Sequence, residues 1–412
     1  MNKGISIKLN NIGFLILSML ISYIFMGNML AVFSAALPFR DWITLIIAVF
    51  GCALLFFTLF RSCVKKDNVL LILGLFILFT IIPTYIENSG ESSQYGILQI
   101  GKSLLWVAVL TFSYLLSLKH NNLLYKSQWL ALTIPIYSFL FLGVKQFSDG
   151  QGIALISTAY YALFLLPFAF MIQKKWLKWL LVLISFSTVL LSVKRTGFVA
   201  IILSIFVYFI YDIKYSEGRF FSKRKIRLIF GFLILFVALY VFFVYYTSTH
   251  SIAIFDRMNS IEDDNGSGRT EIWKYTWQMI KDSEPEYLIF GHGFNAVYTD
   301  SALELSAHTD VLEVIYDYGI IGSLIYIAFW CSLFKYFKKV KAYIPQLAAP
   351  YAVSLVLMIC MSAVAHLIIY PTHFIFLCMF WGLVFGELDR GDDVVERRTY
   401  YATISKRNNT SL

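Results

Sequence analysis

The sequence predicts an all-α polytopic membrane protein with about twelve transmembrane helices and one large external loop, periplasmic or extracellular, that contains short amphipathic helices. Composition is the first observation behind this prediction. Hydrophobic residues make up 59% of the 412 residues and charged residues only 14%, whereas charged residues average about 25% in soluble proteins. The second observation is that apolar stretches near the bilayer-crossing length of about 20 residues recur from residue 12 to residue 388.

The length rule for membrane spans divides the chain into four parts. Residues 1–247 carry the first nine transmembrane helices, residues 248–318 form the external loop, residues 319–388 carry the last three helices, and residues 389–412 form a cytoplasmic tail. The predicted spans are 12–37, 42–60, 68–86, 96–118, 129–144, 151–172, 179–193, 197–211, 228–247, 319–334, 348–369 and 374–388. The seventh and twelfth are short, which is typical of tilted helices or of broken helices packed inside a bundle.

The positions of lysine and arginine orient the predicted helices. Most of the 34 Lys and Arg residues lie in connections on one side or in the C-terminal tail, and connections of this kind face the cytoplasm. An even number of spans then places both termini in the cytoplasm and the 248–318 loop outside. Because the net charge of +9 arises from this asymmetry and suits contact with anionic lipid headgroups, no nucleic-acid partner is expected.

A basic pair, Lys194 and Arg195, closes the seventh span at its outer face, where the positive-inside pattern disfavours such residues. A guanidinium held there by two closely spaced spans is suited to bind a phosphate group through paired hydrogen bonds. The alternative is an anchor to lipid headgroups, and both interpretations stay open at this point.

A single lysine, Lys102, falls within the fourth span near its outer end. Lysine at that depth either extends its ammonium group to the interface or faces a hydrated cavity, and the first outcome is the commoner one. His366, Tyr370 and His373 lie at the outer ends of the last two spans, where they either line an external site or cap helices.

The 248–318 loop is the one long hydrophilic interval between the apolar runs. Residues 269–282 have the spacing of an amphipathic helix, with Arg269 in the first turn and Trp273 and Trp277 along one stripe. The two tryptophans suit a helix at the bilayer interface. Arg269 either binds an anion beside the N-terminus of that helix or pairs with a nearby carboxylate.

Two histidines follow in the loop. His292 lies in the Gly-His-Gly-Phe turn at 291–294, and two glycines more often form a tight turn than a phosphate cradle. His308 precedes a second predicted helix, 310–318, whose N-cap is Thr309. A histidine at a helix start over a membrane cavity is suited to accept a proton near neutral pH, although a lone histidine is more often structural.

The sequence lacks the signatures of several kinds of site. It contains no HExxH zinc motif, no phosphate-binding P-loop, no GxSxG elbow and no dinucleotide-binding fingerprint, so no metal and no cofactor are predicted. What remains is an external site with two candidates for anion binding, Arg195 and Arg269, and one candidate base, His308. This combination favours transfer from a donor whose leaving group is a phosphate.

Four motifs taken in order resemble the O-antigen ligase and polymerase superfamily: KRTG at the end of a span, GRTEIW in the loop, GHGF, and AHTDVLEVIYDYGIIG leading into the next span. The resemblance implies that Arg195 and Arg269 bind the diphosphate of a lipid-linked donor and that His308 is essential for transfer. The secondary candidates are Lys194, Asp310, Lys102 and His292. Many members have asparagine directly after the essential histidine, whereas this chain has Thr309, so Asp310 is considered for that role.

The resemblance also implies a multi-pass glycosyltransferase of the bacterial inner membrane that uses an undecaprenyl-diphosphate-linked glycan without metal or nucleotide sugar. The leading hypothesis is an O-antigen or capsular polysaccharide polymerase, which joins lipid-linked repeat units, with a chain-length regulator as a further partner. The close alternative is an O-antigen ligase that moves finished glycan onto lipid A–core. A polysaccharide transporter or flippase is more remote, because the sequence shows neither inverted repeats nor buried charges at mid-membrane depth. A purely structural membrane partner would tolerate substitution of Arg195, Arg269 and His308.

Overall fold

The structure is a computed structural model that describes residues 18, 22, 39–61, 69–87, 93–120, 122–150, 159–215, 268–303, 305–365, 367–368 and 373–391. These residues form helices and the connections between them, and this part of the chain contains no β-strand. Apart from residues 18 and 22, the predicted span 12–37 lies outside the described residues, as do the predicted span 228–247 and nearly all of the predicted tail.

The helices follow the predicted apolar runs. In chain order they are α1 (Arg40–Arg61), α2 (Val69–Glu87), α3 (Ser93–Lys119), α4 (Leu123–Lys126), a 3₁₀ helix (Ser127–Thr133), α5 (Ile134–Gly150), α6 (Ala159–Phe164), α7 (Leu166–Met171), α8 (Lys175–Leu191), α9 (Arg195–Tyr215), α10 (Arg269–Asp282), α11 (Pro285–Phe290), α12 (Ala296–Asp300), α13 (Asp310–Tyr343), a second 3₁₀ helix (Pro345–Leu347) and α14 (Ala348–Val364). The last described helix, α15, covers residues 375–391.

Within the described ranges, five helical stretches are long and apolar enough to cross a membrane. They are Asp41–Phe60, Leu123–Lys145, Arg195–Tyr215, Asp310–Tyr343 and Pro345–Val364. Shorter apolar helices cover Val69–Thr84, Ser103–Lys119 and Ala159–Met171. The helical, multi-pass membrane architecture is therefore confirmed, while the total of twelve spans and the external position of the loop stay predictions.

Helix α15 lies at the centre of the bundle. All of its residues from 375 to 386 are buried, as is Phe374 just before it. The indole ring of Trp106 in α3 packs against Phe329 of α13 and against Phe374, with ring centroids 5.3 and 5.5 Å apart. A helix that is apolar on every face is buried by its neighbours, and this explains why the short twelfth predicted span is packed inside the bundle.

Helix α13 connects the loop to the bundle. It begins after the predicted N-cap Thr309, bends at Gly319 (φ 66°, ψ −167°) and ends at Tyr343. At about 1.5 Å per residue, its 34 residues exceed the thickness of a bilayer core, which is about 30 Å. The first turns of α13 therefore extend beyond that core and form part of the loop.

Candidate active site

The described part of the predicted loop folds into a small unit made of α10, α11, α12 and the first turns of α13. The predicted amphipathic helix over 269–282 is confirmed with the same bounds. Five side chains form the core of this unit: Ile280, Ala296, Val297, Ala307 and Tyr316. Because Ala307 belongs to that core, the chain immediately before His308 is held against the loop helices.

The Gly-His-Gly-Phe turn packs its backbone against the bend of α13. A side chain at Gly291 would clash with the backbone of Asp317, and one at Gly319 would clash with the backbone of Ile289. Two backbone hydrogen bonds, of 3.0 and 2.8 Å, join the two segments. Since both glycines also have positive φ, which glycine adopts without steric cost, their function in this turn is to permit close backbone packing.

His292, a secondary site candidate, belongs to that packing. Its ring is stacked between Tyr287 and Tyr316, at centroid distances of 4.4 and 4.2 Å. Its Nε2 atom lies 2.9 Å from the hydroxyl of Ser283, and that hydroxyl donates its own proton to the carbonyl oxygen of Met279 at 2.8 Å. A hydroxyl has one proton to donate, so Nε2 of His292 is the donor to Ser283. The contacts of His292 therefore indicate a structural role.

His308 itself adopts a left-handed backbone conformation, with φ 54°. A residue with a side chain rarely takes this conformation, at a cost of about 1–3 kcal/mol, unless its neighbours impose it. The preceding residue is fixed on both sides, because Ala307 donates its N–H to Glu313 Oε1 at 2.6 Å and accepts the indole N–H of Trp273 at 2.8 Å. These two bonds set the direction in which the chain enters His308.

Hydrogen bonds also fix the two residues that follow His308. Asp310 is fully buried, and its carboxylate accepts the N–H of Leu367 at 2.7 Å and the hydroxyl of Tyr326 at 3.0 Å. Thr309 donates its hydroxyl to the carbonyl oxygen of Ser362 at 3.4 Å. Because both oxygens of Asp310 accept hydrogen bonds, its geometry fits a positioning role better than the contact with substrate that was considered for it.

A third acidic residue, Asp317, completes a pattern along α13. Its two carboxylate oxygens accept the N–H groups of Asn295 and Val297 at 2.9 and 3.1 Å. Asp310, Glu313 and Asp317 lie three and four residues apart, so they share one face of the helix. Each of these carboxylates accepts backbone N–H groups from a connection or from the first turn of another helix. Such hydrogen bonds offset the cost of burying a carboxylate. Sequence reasoning missed this buried acidic face, although its spacing is visible in DVLEVIYD.

The electrostatic surroundings of His308 bring together residues that are far apart in the chain. Burial lowers the pKa of the His308 imidazole below its ordinary value of 6.5, and the positive charges of Arg269 and Lys194 lower it further. The charges of Lys194 in the KRTG motif and of Arg269 in the GRTEIW motif therefore act on the histidine of the AHTDVLEVIYDYGIIG motif. An imidazole with a lowered pKa is neutral at pH 7, which is the protonation state that a proton acceptor requires.

Lys194 ends the short turn between α8 and α9, and Arg195 begins α9; this segment, residues 192–195, is the basic turn. Val193 has φ 55°, and the N–H of Lys194 donates to the hydroxyl of Ser192 at 3.3 Å. Arg195 is the first residue of α9 and is half-buried. The positive charge of Lys194 also reaches a second histidine, His373, whose pKa is lowered to about 4, first by burial and then by Lys194.

His373 was considered as a residue lining the external site. His373 is half-buried, and its ring is surrounded by the rings of Tyr160, Tyr161 and Phe164, at centroid distances of 5.6, 4.9 and 6.5 Å. His373 therefore packs among aromatic rings, within range of the charge of Lys194. The other two residues of that group, His366 and Tyr370, lie outside the described residues.

An apolar groove of about 540 Å³ opens beside His308. Its walls come from α10, from the start of α13 and from the end of α14, and its lining residues are Trp273, Lys274, Trp277, Thr309, Val311, Leu312 and Ala363. Trp277 and Val311 are exposed, with 47% and 56% of their surfaces accessible. A groove with two indole rings, one lysine and aliphatic walls is suited to hold an apolar chain that carries an anionic end.

Lys102, the last of the secondary candidates, lies in α3, but its side chain is outside the described part of the structure. Among the described residues, no three His, Cys, Asp or Glu side chains come together in a way that could hold a metal ion.

Comparison with protein families matches residues 180–327 to the O-antigen ligase family. The matched segment contains Lys194, Arg195, Arg269 and His308, and so includes the basic turn, the loop and the start of α13. No curated protein matches the chain. The family match confirms the resemblance to the O-antigen ligase and polymerase superfamily, and it supports an enzyme of the membrane glycosyltransferase type.

Proposed function

We propose that this chain, a multi-pass membrane protein whose residues 180–327 match the O-antigen ligase family, is an O-antigen or capsular polysaccharide polymerase of the bacterial inner membrane. It transfers a glycan from undecaprenyl diphosphate to a sugar hydroxyl of a second lipid-linked repeat unit. The observation that carries the proposal is the electrostatic environment of His308. Arg269 and Lys194 come from different motifs, and both act on the same imidazole.

The proposed reaction breaks the bond between the glycan and the diphosphate and forms a new glycosidic bond. Negative charge grows on the departing diphosphate, which leaves still attached to its lipid. Arg195 and Arg269 stabilise that charge, and prepositioned guanidinium groups stabilise the transition state more than the ground state. No metal is required for this step, because cationic side chains supply the charge compensation.

In this proposal, His308 accepts the proton of the attacking sugar hydroxyl. Its lowered pKa keeps the imidazole neutral at pH 7 and ready to accept a proton. The same two cations disfavour the imidazolium form before the reaction. They also stand close to the diphosphate, whose growing negative charge favours protonation of His308 in the transition state. Proton transfer and departure of the leaving group therefore assist each other.

The apolar groove supports the same reaction, because a polyprenyl donor or acceptor needs a surface for its chain beside the reacting groups. The groove lies next to Thr309 and contains Lys274, so a chain held there has its anionic end near His308. Burial of isoprenoid carbons stabilises binding by about 25 cal/mol per Å² of apolar surface.

The second candidate function is O-antigen ligase, which shares the donor, the site residues and the membrane topology. The family that matches residues 180–327 carries the description O-antigen ligase. The two functions differ in their acceptor, which is lipid-linked glycan for the polymerase and lipid A–core for the ligase.

Surface polysaccharide from a deletion strain, separated on a gel, distinguishes the two functions. A polymerase deletion is expected to leave core that carries a single repeat unit, and wild-type protein is expected to restore the ladder. Bare core with accumulated lipid-linked polymer would instead identify the ligase. Arg195→Ala and Arg269→Ala are expected to abolish the ladder at normal protein levels in the membrane, while Lys281→Ala, an exposed position on α10, restores it. A full ladder from either arginine variant would refute the proposed binding of the diphosphate by Arg195 and Arg269.

A further inference from the structure

A second pocket, of about 220 Å³, lies at the opposite end of the helices from His308. Helix α9 starts beside the basic turn and ends at Tyr215, and α13 starts next to His308 and ends at Tyr343. The pocket is lined by residues from the second half of α9, from the beginnings of α8 and α14 and from the connections beside them, including the 3₁₀ helix that follows α13. At about 1.5 Å per residue, the stretch of α9 from Arg195 to the pocket residues Tyr208 and Asp212 separates the pocket from the start of that helix by about 20 to 25 Å. Its polar side chains are Tyr125, Gln173, Lys178, Tyr208, Asp212 and Gln346.

Lys178 and Asp212, which carry opposite charges, line this pocket and form hydrogen bonds to the same phenol group, that of Tyr208. The ammonium group of Lys178 donates to the hydroxyl of Tyr208 at 2.7 Å, and that hydroxyl donates to Asp212 Oδ1 at 3.2 Å. An ammonium group has three N–H donors and a carboxylate has two acceptor oxygens. Both charged groups therefore have hydrogen-bonding capacity for a ligand beyond the bonds to Tyr208.

The two charges lie at different depths. Asp212 is exposed, Lys178 is half-buried and Tyr208 is buried, so the cation lies deeper in the pocket than the carboxylate. The ring of Tyr208 is fixed by stacking on Phe170, with centroids 4.0 Å apart. A ligand that fits this order carries its anionic group on the inner side and its cationic group on the outer side.

The walls of the pocket add an apolar contribution from Phe170, Met171, Ile172, Leu347 and Pro350. A solely anionic ligand would be repelled by Asp212, and a solely cationic ligand by Lys178. An ethanolamine phosphate ester has its phosphate and its primary ammonium group only two carbon atoms apart. In a phospholipid, the phosphate is attached to the glycerol and the ammonium group lies further from the acyl chains, which is the order of charges in this pocket.

We propose that this pocket binds the headgroup of an ethanolamine phospholipid, with the phosphate on Lys178 and the ammonium group on Asp212. The site is separate from the proposed glycan transfer, and it makes the end of the bundle between α8, α9 and α14 a specific lipid-binding surface. The many lysines and arginines near this end predict a preference for anionic lipids, so a preference for a zwitterionic lipid distinguishes the pocket from a general basic surface.

Native mass spectrometry of the full-length protein tests the proposal, with equal amounts of dioleoyl phosphatidylethanolamine, phosphatidylglycerol and phosphatidylcholine. Wild-type protein is expected to retain the ethanolamine lipid about tenfold more than the other two. Asp212→Asn removes the partner of the ammonium group and the repulsion of anions, so the preference is expected to shift to phosphatidylglycerol. Lys178→Met is expected to lower retention of both phosphatidylethanolamine and phosphatidylglycerol.

Lys174→Met is the matched control, because Lys174 is an exposed lysine at the N-cap of α8, one helical turn before Lys178, and does not line the pocket. Tyr208→Phe keeps the ring stacked on Phe170 and removes only the shared hydroxyl, so it tests the arrangement at small cost to folding and is expected to weaken the preference. Equal retention of phosphatidylethanolamine and phosphatidylglycerol by wild-type protein would overturn the proposal. An equal loss in Lys174→Met and Lys178→Met would do the same.

Soluble phosphoethanolamine distinguishes a lipid site from a site for a free metabolite. Without acyl chains it has less contact with the apolar wall, so it is expected to displace bound phosphatidylethanolamine only at much higher concentration than the lipid itself requires. Displacement at equal concentrations would overturn the assignment to a lipid.

Discussion

The segments around His292 and His308 lie in the same loop and both contain a histidine in an irregular stretch, yet the structure gives them opposite environments. The ring of His292 is sandwiched between two tyrosines and hydrogen-bonded to Ser283. At His308 it is the flanking residues that are fixed, through Ala307 and Asp310, and the ring lies among the charges of Arg269 and Lys194. The contacts of the first segment enclose an imidazole ring between two tyrosines, and those of the second fix the backbone on both sides of a histidine.

Under the proposed function, this difference separates a histidine that meets substrate from one that packs within the loop. The faces and one nitrogen of the His292 ring are occupied by contacts within the protein. A residue meant to meet substrate needs a rigid backbone, so that the position of its ring is set in advance. The left-handed backbone of His308, held by bonds on both sides, agrees with that requirement.

The sharpest test of the comparison replaces each histidine in turn and measures both turnover and stability. His308→Ala is expected to lower turnover by about 10²- to 10⁴-fold, the contribution of a general base. His292→Phe keeps a ring between the two tyrosines and removes one hydrogen bond, so it is expected to cost about 1 kcal/mol of unfolding free energy and to leave turnover near wild type. Glycan transfer by purified protein and its thermal unfolding measure the two effects. Similar turnover losses in the two variants would contradict the division of roles.

A second pair of variants tests whether backbone positioning matters for catalysis. Trp273→Phe keeps an aromatic ring in the apolar groove and removes the hydrogen bond to the carbonyl oxygen of Ala307. Loss of that bond allows His308 to shift, and small shifts of a catalytic group cost up to about 100-fold in rate. We expect a loss of about tenfold in kcat.

Trp277→Phe is the control for this pair, because Trp277 lines the same groove and its exposed ring is one helical turn away from Trp273. It is expected to change KM for the lipid-linked substrate more than kcat. If Trp277→Phe lowers kcat as much as Trp273→Phe does, the groove rather than the hydrogen bond to Ala307 explains the effect.

Much of this site could be predicted from sequence, because its signals are local. Gly268 ends the preceding turn with φ 75°, and the apolar spacing after it gave the bounds of α10 as Arg269–Asp282. Thr309 occupies the predicted N-cap position, and Gly319, the joint between the predicted helix 310–318 and the span that follows, is where α13 bends, since caps and glycines act on their immediate neighbours.

The parts that could not be predicted depend on contacts between distant segments. Asp310, Glu313 and Asp317 have the spacing of a solvated acidic face, yet each is buried and accepts backbone N–H groups. The partners of Asp310 are 57 and 58 residues away in the chain. Periodicity shows which residues share a face of a helix, but it does not show what that face meets. The structural role of His292 was hidden in the same way, because Tyr287 and Tyr316 meet only in the folded loop.

The smallest expected effect is also the most specific, because it concerns charge alone. His308 must be neutral to accept a proton, so kcat/KM falls as pH decreases through its pKa. Since burial, Arg269 and Lys194 all lower that pKa, the acidic limb of the profile is expected below pH 6.5. Lys194→Gln removes one of these charges, which raises the pKa and moves the limb to higher pH. Lys281→Gln removes an exposed charge that does not act on His308 and is expected to leave the limb in place. A limb that stays fixed in Lys194→Gln, or that moves equally in both variants, would show that the basic turn does not act on His308.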